Sequence, residues 1–201
     1  MSEDSTPEPA DLRAWRNSER ARLLDIRRNM PAAEHRNAGE MIARTLNAFL
    51  PPGTQELLGC YWPFRREFNC VPYMREQVRA GGGVALPVVR GRGQPLEFRH
   101  WTEEAVMEKG VWDIPHPAEG PPVIPTALLI SLVGFDEAGF RLGYGAAYYD
   151  MTLAALPSRT LAIGIGFEYS RLPSIHPQPH DRRMDAIITE AGLRQGWARE
   201  R

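Results

Sequence analysis

The stretch "ALLISLVGFDEAGFRLGYGAAYYD", residues 127–150, decides how the rest of the chain is read. Its first nine residues, 127–135, form a continuous apolar run bounded by turn residues, the pattern of a strand covered on both faces. Gly139, Gly143 and Gly145 follow, and "YYDMTLAAL" (148–156) then reads as a helix. A buried strand that feeds a glycine turn and then a helix is the repeating unit of an α/β protein. In open α/β sheets, ligands gather beyond the carboxyl ends of the strands.

The flanking sequence repeats this alternation. From Asp11 onward, Leu12, Trp15, Leu23, Ile26 and Met30 share an apolar helix side with arginines between them. Pro31 interrupts, and Ala38, Met41, Ile42, Thr45, Leu46 and Phe49 recur at helical spacing until "PPG" at 51–53. Residues 56–62 read as a strand, 71–80 as a helix stopped by Gly81–Gly83, 84–89 as a buried strand and 95–101 as an alternating one. Residues 160–167 are another buried strand, 173–183 a Pro/His-rich loop, and 184–189 the last strand. The expected fold is α/β: a three-layer α/β/α sandwich with a mostly parallel central sheet and N-terminal helices. The expected organisation is a disordered tail over 1–10, one domain over 11–195 and a C-terminal tail over 196–201.

Composition narrows the function. With 201 residues the chain can bury most of its unfolded surface, roughly 70%, so it needs no covalent staple. A formal net charge of -1 gives no argument for nucleic acid or membrane as partner. Eight arginines between 13 and 44 raise an RNA-binding helix as a question, but no basic–aromatic interleaving follows them. There is no run of about 18 apolar residues, and "MSEDSTPEPA" is too acidic for a signal or transit peptide. Cys60 and Cys70 stand apart, so reduced thiols in a cytoplasmic, monomeric protein are expected. His176 and His180 lack a convincing third zinc ligand.

The glycine turn itself points to an anion. Glycines let a backbone approach a ligand closely, and a helix start offers unpaired N–H groups. Arg141 can fork two phosphate oxygens, and Asp150 can hold Mg²⁺ on the same phosphates. Neither GxxxxGK[ST] nor GxGxxG is present, so the residues alone reach only an anion or nucleotide loop.

The full run "GFDEAGFRLGYGAAYYD" (134–150) resembles the signature of the 5-formyltetrahydrofolate cyclo-ligase family, also called 5,10-methenyltetrahydrofolate synthetase. The likeness extends over roughly 12–192, as far as "HDRRMDAIITE". It implies an ATP-dependent ligase that closes 5-formyltetrahydrofolate to 5,10-methenyltetrahydrofolate, with ADP, phosphate and Mg²⁺. It places Arg16 and Arg20, four apart on the first helix, on the ATP phosphates, with the loop Arg141, Leu142, Gly143, Tyr144, Gly145, Ala146, Ala147, Tyr148 and Tyr149. Arg141, Tyr148 and Asp150 are its implied catalytic residues, and Asp150 and Asp181 its metal ligands. Glu67, Trp62, Trp112, Tyr144 and Tyr148 are implied to contact the folate. Without the resemblance, Glu67 reads as a loop charge, Trp62 as core and Trp112 as an anchor under a proline turn. Arg13, Arg22, Arg27 and Arg28 read as a solvated basic face.

The chain departs from the family pattern at several positions. Gly145-Ala146-Ala147 replaces a more glycine-rich step, Met151 replaces a frequent arginine, and Arg182 and Arg183 stand where apolar residues or proline are usual. Arg16 takes a position often held by lysine, and no Pro-Gly precedes the loop strand. These departures define an alternative: a non-catalytic folate- or nucleotide-binding homologue with a degenerate glycine loop.

Overall fold

The structure, a computed structural model, describes residues 9–196. Two helices come first, α1 (Pro9–Asn29) and α2 (Ala32–Phe49), separated at Pro31. Helix α1 starts two residues before Asp11, and the remainder of the two expected tails lies outside the described residues apart from Gly196. Next come β1 (Leu57–Gly59), α3 (Val71–Arg79), β2 (Gly83–Val88), β3 (Glu97–His100), β4 (Met107–Lys109), β5 (Pro115–Pro117) and β6 (Pro122–Val123). The chain continues with β7 (Ala127–Ser131), β8 (Gly134–Asp136), β9 (Arg141–Leu142) and α4 (Tyr148–Ala155). It ends with β10 (Leu161–Ile165), β11 (Arg171–Leu172), β12 (Ala186–Thr189) and β13 (Gly192–Gln195).

Eight strands make the main sheet, in the order β13-β12-β10-β7-β1-β2-β3-β6. The pairs from β12 through β2 are parallel, and the edge pairs are antiparallel. Side chains alternate across the pleat of β7. Leu129 joins a core with Ile42, Leu46, Leu58, Met74 and Ile188 under α2 and α3. Leu128 and Ile130 join the opposite core with Phe135, Ile187 and Leu153 under α4. The expected sandwich is therefore present. Ile42 and Leu46 on α2 are fully buried, each contributing about 1.5–3 kcal/mol through removal from water. Among the described residues no helix is long and apolar enough to cross a membrane.

Two expectations about strands need correction. The run 127–135 is not one strand. β7 stops at Ser131, and β8 belongs to a separate three-stranded sheet, β11-β8-β9. The break is invisible in hydrophobicity because Leu132, Val133 and Phe135 are all buried on either side of it. Nor is β12 the last strand, since β13 pairs antiparallel to it. Its half-exposed "GLRQ" carries too little apolar signal to read as a strand.

Helix α1 packs over the small sheet, with Leu23 against Val133, Leu142, Leu172 and Ile175. At Gly134 a Cβ would come within 2.8 Å of Leu23, so glycine lets the helix lie this close. Ile26, assigned to the apolar side from sequence, is 37% exposed, whereas Arg27 is 1% exposed. The inward face of α1 therefore runs Leu12, Leu23, Arg27 and Met30.

Candidate active site

At the carboxyl ends of β1, β2 and β7 a cavity of about 250 Å³ opens toward α1. All sixteen residues singled out from the sequence line it, so Arg141, Asp150, Asp181 and Glu67 do converge on one space. The cavity has a charged end and a buried end.

The charged end is built by α1 and the glycine loop. Arg16 donates to both oxygens of Asp181, the shorter bond being 2.5 Å, and to the carbonyls of Ile175 and His176. Arg20 donates to the Gly143 carbonyl at 2.7 Å and to Asn17. Arg141 donates to Asp150 Oδ1 at 2.8 Å and to the Arg182 carbonyl. Burial and the neighbouring Arg16 charge lower the Arg20 pKa, and Asp181 offsets part of that. Three guanidinium groups therefore face two carboxylates, a balance that favours an added anion.

The loop folds this way because of two residues. Gly145 sits at φ +97, and Ala147, which immediately precedes α4, sits at φ +55. No side chain caps α4, so its first N–H groups receive no partner from Ala147's side chain. The other non-glycine residues with positive φ among those described are Arg65, Arg66, Trp112, Asp113 and His176. Each lies in or next to a segment that borders the cavity or holds Arg16. Backbone strain of this kind collects where a fold fixes a functional geometry.

At the buried end, Glu67 is 6% exposed. Its Oε1 accepts from Ser131 Oγ at 2.5 Å and from the Tyr144 hydroxyl at 2.8 Å, and its Oε2 accepts from the Phe64 N–H at 2.9 Å. Arg27 lies 3.9 Å from the same Oε1. Burial pushes the Glu67 carboxyl above the usual range, while the three hydrogen bonds and Arg27 pull it back. Burial and the Glu67 charge raise the Tyr144 hydroxyl. Phe64, Trp112 and Tyr144 form a triangle of rings at the mouth, 6.1–6.4 Å apart, with Phe64 and Trp112 parallel to within 7°. Trp112 is half exposed there, and Trp62 lies deeper beside Trp101.

Not every predicted residue presents a reactive group. Leu142 is core, and Tyr149 packs under the sheet against the apolar cluster beneath α4. Asp181 has both oxygens engaged by Arg16 and the Gln178 N–H. Sequence reasoning missed Phe64, Ser131, His116 and His180 as lining residues and Arg27 behind them. A signal for Arg27 existed: Arg16, Arg20, Leu23 and Arg27 recur at spacings of four, three and four, a single helix face. Cys60 and Cys70 are free buried thiols, and burial pushes Cys70 up to about 12.

A sequence profile of the 5-formyltetrahydrofolate cyclo-ligase family matches residues 12–190. The chain belongs to that family. It is a ligase, and its reaction is the cyclisation of 5-formyltetrahydrofolate. Among relatives, the 5-formyltetrahydrofolate cyclo-ligase of Mycolicibacterium smegmatis is 27% identical over 85% of this chain and 91% of its own. That of Escherichia coli K12 is 26% identical over 81% and 93% respectively. In fold, the chain is similar to the Aquifex aeolicus 5,10-methenyltetrahydrofolate synthetase, with TM-score 0.78 and 24% identity over 92% of this chain and 96% of that one. A Mycoplasma pneumoniae 5,10-methenyltetrahydrofolate synthetase gives TM-score 0.71 at 23% identity, covering 87% and 98%.

Proposed function

We propose that this cyclo-ligase works in two steps with ATP as phosphoryl donor. The γ-phosphoryl group passes to the formyl oxygen and ADP leaves. Folate N10 then attacks the formyl carbon and loses its proton, and phosphate departs with the former formyl oxygen. An amide oxygen is a poor leaving group and phosphate a good one, so the protein's task is positioning and charge neutralisation.

The observation that supports this reading is a guanidinium-lined glycine loop and a buried carboxylate in the same cavity. Arg16, Arg20, Arg141 and the backbone from Gly143 to Tyr148 would hold the triphosphate, with Arg141 and Tyr148 nearest the transferred group. Trp62, Trp112, Tyr144 and Tyr148 would wall the folate rings, and Glu67 would take the N10 proton.

Asp150 fits Mg²⁺. Its Oδ1 is held by Arg141 and the Arg182 N–H, and its Oδ2 has no hydrogen bond among the described residues. One carboxylate oxygen beside phosphates suits an ion that keeps most of its water. Asp181 is the poorer ligand, because Arg16 bonds both its oxygens and the Gln178 N–H takes Oδ2; its part is to hold Arg16. When bound, Mg²⁺ would neutralise phosphate charge. The same reading takes the protein to be cytoplasmic and monomeric, acting on small molecules rather than nucleic acid.

The test is spectroscopic. Protein, 5-formyltetrahydrofolate, Mg²⁺ and ATP should give the absorbance of the methenyl product, dependent on ATP and lost in Asp150→Ala. Product without ATP, or full activity in Asp150→Ala, would overturn the roles assigned here. Folate binding without any product would favour the non-catalytic alternative, for which the strained Ala147 is the structural argument.

A further inference from the structure

Arg27 is a fully buried arginine that the two-step reading does not use. Placing a guanidinium in a protein interior costs several kcal/mol unless its N–H groups are matched. Here two of its nitrogens anchor the group, and the third, Nη1, faces Tyr144 and Glu67 at the folate end of the cavity. Its Nη2 donates to the Leu132 carbonyl at 2.5 Å, just past the end of β7. Its Nη1 donates to the Tyr144 hydroxyl at 3.3 Å and stands 3.9 Å from Glu67 Oε1. Its Nε donates to Tyr169 at 3.3 Å. Tyr144 in turn donates to Glu67, so the guanidinium, the phenol and the carboxylate form a closed triangle.

We infer that Arg27 is a positioning residue for ring closure. It keeps Glu67 ionised in a dry site and fixes the direction in which the Tyr144 hydroxyl presents itself to that carboxylate. This rests on Glu67 being the proton acceptor proposed above. Arg27 does not itself line the cavity, so it acts through Glu67 and Tyr144 and not on substrate. Other titratable groups coupled to Glu67 are Tyr61, Cys70 and Tyr149, all raised by burial and neutral at working pH. Arg27 is therefore the cation beside Glu67, and with three hydrogen bonds it offsets part of the cost of burying the Glu67 charge. Ser131, Tyr144 and the Phe64 N–H lower the Glu67 pKa by direct hydrogen bonds, and Arg27 adds the attraction of a full charge at 3.9 Å while fixing the Tyr144 hydroxyl.

Loss of the cation raises the Glu67 pKa, and the ionised carboxylate then appears only at higher pH. In Arg27→Gln, the acid limb of kcat/KM for 5-formyltetrahydrofolate should move to higher pH, through the lost charge and the released Tyr144 hydroxyl together. KM for ATP should stay unchanged, because Arg16, Arg20 and Arg141 are untouched. Arg27→Lys, which keeps the charge without the fork, should return the limb toward wild type while kcat remains low. NMR titration of ¹³C-carboxyl-labelled Glu67 in wild type and Arg27→Gln should show the same shift without turnover. The carboxyl titration tests Arg27 even where no product forms, whereas absence of product in wild type would count against the reaction scheme alone.

A merely structural arginine would lower stability or kcat and leave the pH limb in place, and that result would overturn the inference. Should Arg27→Gln fail to fold, Arg27→Met combined with Glu67→Gln removes both charges at once. Such a neutral replacement of a buried pair is commonly tolerated. Its kcat/KM should lie within about twofold of Glu67→Gln alone, the coupling expected of residues acting as one unit. A multiplicative further loss would show that Arg27 acts independently of Glu67.

Discussion

The two ends of the cavity use the same pair of functional groups in opposite ways. At the glycine loop, Arg141 and Asp150 touch at 2.8 Å, the arginine side chain 4% exposed and the carboxylate 18%. At the floor, Arg27 and Glu67 are 3.9 Å apart and both nearly sealed, with the Tyr144 hydroxyl bonded to each. A carboxylate that water reaches can give up its arginine or take a metal at modest cost, because water and the new ligand replace what is lost. A sealed pair cannot, since an unpaired charge there would be severely destabilising. The rim is therefore suited to capture and release, and the floor to holding one proton-accepting group in one state.

The comparison breaks most sharply at the rim. Arg141→Ala should lower kcat by about 10²–10³-fold, the usual effect of removing one preorganised donor from a developing charge. Arg141→Lys should not restore it, because a point charge cannot replace a fork held by Asp150 and the Arg182 carbonyl. Steady-state assays of methenyl formation check both. At the floor, Glu67→Gln should cost about 10²-fold or more in kcat/KM for the folate, with ATP binding by calorimetry unaffected. In wild type the acid limb of kcat/KM should fall above the ordinary glutamate range. Burial raises the Glu67 pKa, only the ionised form accepts a proton, and activity therefore rises as pH passes through that raised value. A limb in the ordinary range would mean that Glu67 is not the acceptor.

Smaller effects test the loop between the two ends. Gly145→Ala places a Cβ at φ +97 and 3.4 Å from the Arg20 guanidinium. About 1–2 kcal/mol of backbone strain and a raised KM for ATP are expected, read by thermal unfolding and kinetics. Ala147→Gly should do the reverse. Ala147 already holds φ +55, so glycine relieves roughly 1 kcal/mol, less its own unfolded-state entropy, for a small net rise in Tm. A fall in Tm would show that the Ala147 methyl contributes packing that outweighs its strain.

Much of this was readable from residue order. The sandwich followed from buried runs at 127–135 and 160–167 and from the helix stripe of α2, because covered strands and half-covered helices carry distinct periods. The site followed from the loop signature and its resemblance. What the sequence did not disclose depends on burial against hydrophobicity. Arg27 passed for a surface arginine beside Arg28, and Glu67 for a loop charge, since the side chains that meet the cost of burying either lie 40 or more positions away. The division of 127–135 between two sheets was hidden because both halves are buried. Asp181 was expected to ligate metal, and its saturation by Arg16 depends on a contact across 165 positions.

Helix α1 carries Arg16 and Arg20 to the phosphate end and Arg27 to the folate end along one face. Those eleven positions rise about 16 Å, and each residue turns the helix by roughly 100°. Inserting or deleting one residue between Arg20 and Arg27 would swing one end of the reaction away from the other while leaving every side chain intact. Point substitutions along the outer face of α1 are open to drift, but its length between those arginines is not. Lineages of this chain should therefore vary in what α1 shows to solvent and keep the count of residues from 16 to 27.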